Sequence, residues 1–271
     1  MMLIKIPIES LPESKGSKSS GNAVIAELPK TITTENGRKI EKDNLILEEI
    51  HLDNNDLPEA HSLIYENSLE EIESNERIIF IGGDHSASYS TIKAFREICK
   101  EEDKEAFLIV FDAHADCEND ELNEDYINSR NWLRKLIEDG FPGNKVILIG
   151  LRKSSNEENA FLKKNNVKIY NMRDLIEIEE MCDIIMELAN ADKDNQLYIS
   201  IDIDVVDSIF VPGVARPEAA GLTTRQLIYF LQRLNLLKNL RVIDVTEINT
   251  ERDINNNCVK LGAKIVEEVI V

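Results

Sequence analysis

Phe107-Leu108-Ile109-Val110-Phe111 is an unbroken apolar run that stops at Asp112-Ala113-His114-Ala115-Asp116. Apolar side chains at every position, rather than every second one, describe a strand covered on both faces. Strands of this kind belong to parallel sheets packed between layers of helix. The residues that end the run have a different character. Asp112, His114 and Asp116 stand at i, i+2 and i+4, and in extended backbone such positions share one side. If the extended geometry continues past the apolar run, three metal-competent side chains converge on one point.

Two further segments repeat the pattern. Leu197–Ile201 runs into Asp202-Ile203-Asp204, with Asp207 following, and Arg77–Ile81 leads to Gly82-Gly83-Asp84-His85-Ser86. In an open parallel sheet the C-terminal ends of the strands lie along one edge, where such folds keep their sites. His85, Asp112, His114, Asp116, Asp202 and Asp204 then form a set of two imidazoles and four carboxylates. Packed together without cations, the carboxylates repel and their pKa values rise; bound cations remove the conflict. Hard oxygen donors with a minority of imidazole suit Mn²⁺, ahead of Mg²⁺, Fe²⁺, Co²⁺ or Zn²⁺. The set needs no thiolate, which argues against a structural zinc site. Six ligands are too many for one ion that must also hold a substrate, so two ions sharing carboxylates fit better.

The rest of the chain alternates strand and helix. Strands are expected at Met2–Ile8, Leu45–Leu52, Lys145–Gly150, Val167–Tyr170 and Leu240–Ile248. Glu9–Asn22, rich in Ser, Gly and Lys, reads as a loop. Asp56-Leu57-Pro58 opens a helix, Pro suiting its first turn, with His61, Tyr65, Leu69 and Ile72 as its inner stripe. Residues 117–131 read as a long polar loop, after which Trp132, Leu133, Leu136 and Ile137 mark a helix face. Ser155 and Glu158 have the spacing of a capping box, and Thr223 or Thr224 caps a helix with Leu227, Leu231 and Leu234 inward. Alternation of this kind gives a mostly parallel sheet with helices on both faces, joined by right-handed crossovers, in one domain spanning residues 1–271.

Composition narrows the function. Hydrophobic residues make up 42% of the 271, enough for a substantial core, and the net charge is −20. That charge argues against nucleic acid or an anionic membrane as partner, and it is compatible with a small cationic substrate. The four cysteines, Cys99, Cys117, Cys182 and Cys258, show no paired spacing, which points to a reducing, cytoplasmic setting. Residues 1–8 are too short and interrupted for a signal peptide, and no run reaches membrane length.

Gly82-Gly83-Asp84-His85-Ser86, Asp112-Ala113-His114-Ala115-Asp116 and Ser200-Ile201-Asp202-Ile203-Asp204-Val205-Val206-Asp207 resemble, in this order, three signature motifs of the arginase/agmatinase (ureohydrolase) family. The resemblance spans about residues 77–250. It implies an α/β/α three-layer sandwich with two Mn²⁺ per subunit and hydrolysis of a guanidino C–N bond. It also implies residue roles. His85, Asp112, Asp116 and Asp202 would hold one manganese, and Asp112, His114, Asp202 and Asp204 the other, with Asp112 and Asp202 bridging. Asp116 would also orient the attacking hydroxide and relay its proton. Glu247, in Asp244-Val245-Thr246-Glu247-Ile248-Asn249, resembles the family's guanidinium-gripping Glu, a natural bidentate pair. A homo-oligomer, trimer or hexamer, is expected on the same ground.

The chain departs from the family pattern at several positions. A further His, usual in the loop after the Asp-Ala-His motif, is absent; the region reads Tyr126-Ile127-Asn128-Ser129-Arg130-Asn131-Trp132. His51, at an expected strand end, is the substitute proton shuttle to consider. Ser208 and Thr250 stand where Pro is usual. After Gly150-Leu151-Arg152 come Ser154 and Ser155 rather than the acidic side chain with which arginases usually read an α-amino group. The sequence therefore tilts toward agmatine or a guanidino acid. Arginase or formimidoylglutamase activity, and a metal-binding but non-catalytic role, stand as alternatives.

Overall fold

The computed structural model describes residues 1–119, 126–192 and 194–270. Among the described residues eight strands form one sheet: β1 (Met2–Ile6), β4 (Ile46–Glu49), β5 (Ile78–Gly82), β6 (Glu105–Phe111), β7 (Val146–Leu151), β8 (Lys168–Asn171), β9 (Asn195–Asp202) and β10 (Leu240–Thr246). Their order is β4-β1-β5-β10-β9-β6-β7-β8, and every pairing is parallel. A separate antiparallel ribbon joins β2 (Thr31–Thr33) to β3 (Lys39–Glu41).

Along β6 the side chains divide strictly by parity. Phe107, Ile109 and Phe111 enter one hydrophobic core, and Leu108 and Val110 enter the other. The first core is closed by α1 (Ser20–Glu27), α6 (Ile178–Ala189), α7 (Thr224–Leu234) and α8 (Asn257–Val269), through Val24, Cys182, Phe230 and Cys258 among others. The second is closed by α2 (Leu57–Ser74), α3 (Ala87–Glu101), α4 (Trp132–Glu138) and α5 (Asn156–Lys164), through Ile64, Phe95, Trp132 and Leu162. The result is the three-layer α/β/α sandwich that the strand–helix alternation and the family resemblance imply.

Local signals set the helix starts. The Asp56 carboxylate accepts from Glu59 N at 3.2 Å, satisfying an orphan donor of the first turn of α2. Ser155 with Glu158 and Thr223 with Gln226 form reciprocal capping boxes on α5 and α7.

Other expectations need correction. The presumed loop Glu9–Asn22 contains two short 3₁₀ turns and the start of α1 at Ser20. The β2–β3 ribbon lies in a stretch where no strand was expected. On α2, Ile64 and Ser68 face the core, while Tyr65 and Leu69 are half-buried. The strands carrying the three acidic motifs are not consecutive neighbours, because β10 lies between β5 and β9. Of the polar loop expected over 117–131, residues 120–125 lie outside the described residues.

Candidate metal centre

Four strand ends build the site. β5 delivers Asp84 and His85, β6 delivers Asp112, His114 and Asp116, β9 delivers Asp202 and Asp204, and β10 delivers Glu247. All eight residues are buried. The β5 turn needs Gly83, since a Cβ there would stand 1.9 Å from the Ile8 carbonyl oxygen. That oxygen accepts from Asp84 N, and Asp84 in turn accepts from the hydroxyls of Ser10 and Ser86. Asp84 thereby ties the N-terminal loop to the segment that carries His85.

The carboxylates share one design. Asp112 Oδ1 accepts from His114 N at 2.6 Å, Asp202 Oδ1 from Asp204 N at 2.8 Å, and Asp204 Oδ1 from Ala113 N at 3.1 Å. One oxygen of each is thus held by nearby backbone, and the other faces the cluster. His85 Nδ1 stands 3.1 Å from Asp112 Oδ2, 3.1 Å from Asp116 Oδ2 and 3.4 Å from Asp202 Oδ2. His114 Nδ1 stands 2.8 Å from Asp204 Oδ2 and 3.6 Å from Asp112 Oδ1.

Donor atoms therefore gather in two sets, each within 4.8 Å: His85, Asp112, Asp116 and Asp202 in one, and Asp112, His114 and Asp204 in the other. Asp112 belongs to both. Asp202 joins only the first, where sharing between both sets was expected. Extended geometry does not continue through the whole motif, because Asp116 has φ 46°. That left-handed turn sends Asp116 toward His85 while His114 points to Asp204. Glu247 is also left-handed, φ 64°, and non-glycine residues held there mark backbone constrained by its surroundings.

Electrostatics divide the cluster. Burial opposes a charged His85, yet Asp112, Asp116 and Asp202 raise its pKa well above the ordinary histidine value. His114 is pushed to about 11: burial opposes the charge, and Asp204 and Asp112 outweigh it. Burial, then the neighbouring carboxylates, raises Asp112 and Asp202. Burial also acts on Asp116 and Asp204, but Arg216 and the imidazoles hold both below the ordinary range. Glu247 rises to about 8 through burial and the nearby Asp84. Protonating imidazoles to calm four carboxylates is a poor substitute for divalent cations. The donor set fits such ions on a further observation: His85 Nδ1, His114 Nδ1 and Asp202 Oδ2 are buried with no hydrogen-bond partner among the described residues.

Further side chains complete the surroundings. Trp132 Nε1 donates to Asp116 Oδ2 at 2.9 Å, and Arg216 Nη2 donates to Asp116 Oδ1 at 2.6 Å. His85 Nε2 lies 3.0 Å from Ser200 Oγ, which donates to Asp244 Oδ1 at 2.7 Å. None of these four was singled out as a site residue from sequence. Trp132, the only tryptophan, read as part of a helix stripe; Arg216 lay in a Pro- and Gly-containing loop. Glu247 Oε1 accepts from His85 N at 2.9 Å, which sets it beside the cluster. Asp207 braces its own loop instead, accepting from Ile209 N and Gly221 N. His51 is 89% exposed at its side chain, near Glu49 on the outermost strand and away from the cluster. Cys117, with its thiol pKa raised by burial, is no candidate nucleophile.

Comparison with known proteins bears on the family and the fold. A family model described as "Arginase family" matches residues 2–271. An uncharacterised 32.2 kDa protein of Methanothermus fervidus is 29% identical over 192 residues, 71% of this chain and 62% of that protein. Formimidoylglutamase of Bacillus subtilis (strain 168) is 31% identical over 192 residues, 69% of this chain and 58% of the relative. The matched region thus spans about three-fifths of these relatives' lengths. The crystal structure of formimidoylglutamase from Bacillus subtilis superposes with a TM-score of 0.86 at 24% identity, covering 99% of this chain and 85% of that one. Among the described residues no helix is long and apolar enough to cross a membrane.

Proposed function

The chain belongs to the arginase family, and on that premise we propose that it is a two-manganese hydrolase of small amidine-type compounds. Its reaction would cleave a guanidino C–N bond and release urea and an amine. The observation that carries this reading is the set of buried, unpartnered donor atoms on His85, His114 and Asp202. Two manganese ions held by His85, Asp112, Asp116 and Asp202 and by His114, Asp204 and the shared Asp112 would supply an activated water near neutral pH and polarise the substrate.

The chain's own groups do the rest. Asp116 orients the attacking water and accepts its proton; Trp132 and Arg216 fix the angle of its carboxylate. Glu247 spends Oε1 on His85 N, and its other oxygen has no partner among the described residues, so it is offered to the substrate's amidinium. Oxygen adds to the central carbon, the C–N bond breaks, and the leaving nitrogen takes the proton. The usual loop histidine is absent from this chemistry: Asn128, Ser129 and Asn131 occupy its region and hydrogen-bond to one another, to Tyr126 and to Ser10.

The agmatine-type reaction is one arm of the test, with 4-guanidinobutyrate and arginine beside it. A formimino substrate is the second reading, favoured by the 31% identity to a formimidoylglutamase. Urea release from the guanidino compounds, or formamide and glutamate release from formimidoylglutamate, is measured with protein reconstituted with Mn²⁺. Turnover that requires Mn²⁺ supports the reading. No turnover of any of them at full metal occupancy sinks it.

A further inference from the structure

A cleft of about 540 Å³ opens over His114 and Arg216, lined also by Glu118, Arg130, Lys153 and Glu218. It is the approach to the metal centre. Each of its carboxylates has a donor or a cationic group beside it. Glu158, on the same cleft, accepts from Ser155 N at 2.8 Å and Cys117 N at 3.2 Å. Glu118 stands 3.7 Å from Arg130, and Glu218 stands 3.9 Å from His114 Nε2.

The cations are not all engaged. Lys153 has no carboxylate within 4.0 Å among the described residues and is exposed to the cleft. Its place is fixed by the backbone: Arg152 N and Lys153 N both donate to Ala113 O, at 2.9 and 3.0 Å, and Lys153 pairs with His114 in a parallel bridge. The Lys153 backbone therefore belongs to a frame shared with a candidate metal ligand, and its flexible stem carries the ammonium into the cleft. Arg216 commits one nitrogen to Asp116 and keeps its remaining N–H groups for the cleft.

We propose that Lys153, with Arg216 behind it, is a carboxylate anchor, so that the preferred substrate is an amidino or formimino compound with an acidic tail. The proposal rests on the hydrolase reading for the reacting end and on the cleft for the tail. An incoming carboxylate meets an ammonium with no carboxylate partner among the described residues, and a guanidinium fork. The ammonium tail of agmatine meets the same charges and is repelled. Net charge pointed to a cationic substrate; the local charge at the cleft selects a zwitterion or an acid instead.

The test compares 4-guanidinobutyrate with agmatine, which differ chiefly in tail charge, on manganese-loaded wild type, Lys153→Met and Lys153→Arg. Wild type should favour the acid by about tenfold or more in kcat/KM. Lys153→Met should raise KM for the acid about tenfold with little change in kcat, leave or lower KM for agmatine, and Lys153→Arg should restore the acid. Calorimetric binding of both compounds gives a readout independent of turnover. Preference for agmatine, or equal loss of both in Lys153→Met, overturns the anchor. Acid binding that needs Lys153 without any turnover keeps the anchor and rejects the hydrolase reading. Absence of acid binding rejects the anchor.

Discussion

The Ser200 hydroxyl lies 2.7 Å from Asp244 Oδ1 and gives it its only proton. Ser200 can then only accept from His85 Nε2, 3.0 Å away. The proton of a neutral His85 is fixed on Nε2, and the Nδ1 lone pair faces Asp112, Asp116 and Asp202. Ser200→Ala should weaken manganese binding by about 10- to 100-fold, as losses of ligand-orienting partners do. Titration against a competing chelator measures this. Unchanged affinity would mean that the Ser200 contact does not govern the ring.

Asp112 is the member common to both donor sets. Asp112→Ala should therefore strip both ions together, whereas Asp204→Asn should weaken chiefly the ion near His114. Metal content by inductively coupled plasma analysis after desalting distinguishes the two. A full complement in Asp112→Ala would show that the sets do not depend on this residue.

Gly83→Ala forces a methyl group against the Ile8 carbonyl at 1.9 Å, and backbone must shift to admit it. A loss of about 3 kcal/mol of stability is expected, the upper end of ordinary overpacking costs. Thermal and denaturant unfolding report it. A melting temperature equal to wild type would mean that the β5 turn yields more easily than its contacts imply.

His61 is buried, and burial lowers its pKa to about 4, with Asp84 acting in the opposite sense. Nδ1 lies 3.1 Å from Ser90 Oγ. Between about pH 6.5 and 4 the unfolded chain binds a proton that the folded chain refuses. The neutral ring's contribution is full above that window and is lost as pH falls through it, by about 3 kcal/mol at pH 4. His61→Phe should flatten this part of the stability–pH curve relative to wild type, as followed by denaturant unfolding across the window. Parallel curves for the two proteins would contradict the account.

Much of this was legible in the chain, for reasons that differ by residue. Phe107–Phe111 announced a strand covered on both faces because no polar residue interrupts it, and the two cores divide its side chains as expected. His85, Asp112, His114, Asp116, Asp202 and Asp204 were visible because each follows such a strand directly. α1 was hidden: Ser20-Gly21-Asn22 has loop composition, and tertiary packing overrides it, with Gly21 lying so close to Lys5 that a Cβ would meet its Cγ at 2.7 Å. Arg216 could not be assigned from local pattern, since its partner Asp116 is 100 residues away. The position of β10 was equally hidden, because buried parallel strands look alike and carry no local mark of which neighbour they take.

The insertion of β10 between β5 and β9 has a consequence for how the protein is made. The strand that joins the His85 side of the sheet to the Asp202 side, Leu240–Thr246, is the last of the eight in chain order. Until it emerges from the ribosome, the two halves have no shared hydrogen-bonded ladder to set their spacing. Assembly of the complete donor set therefore waits on Leu240–Thr246, and a nascent chain stalled before Leu240 would hold only fragments of the centre.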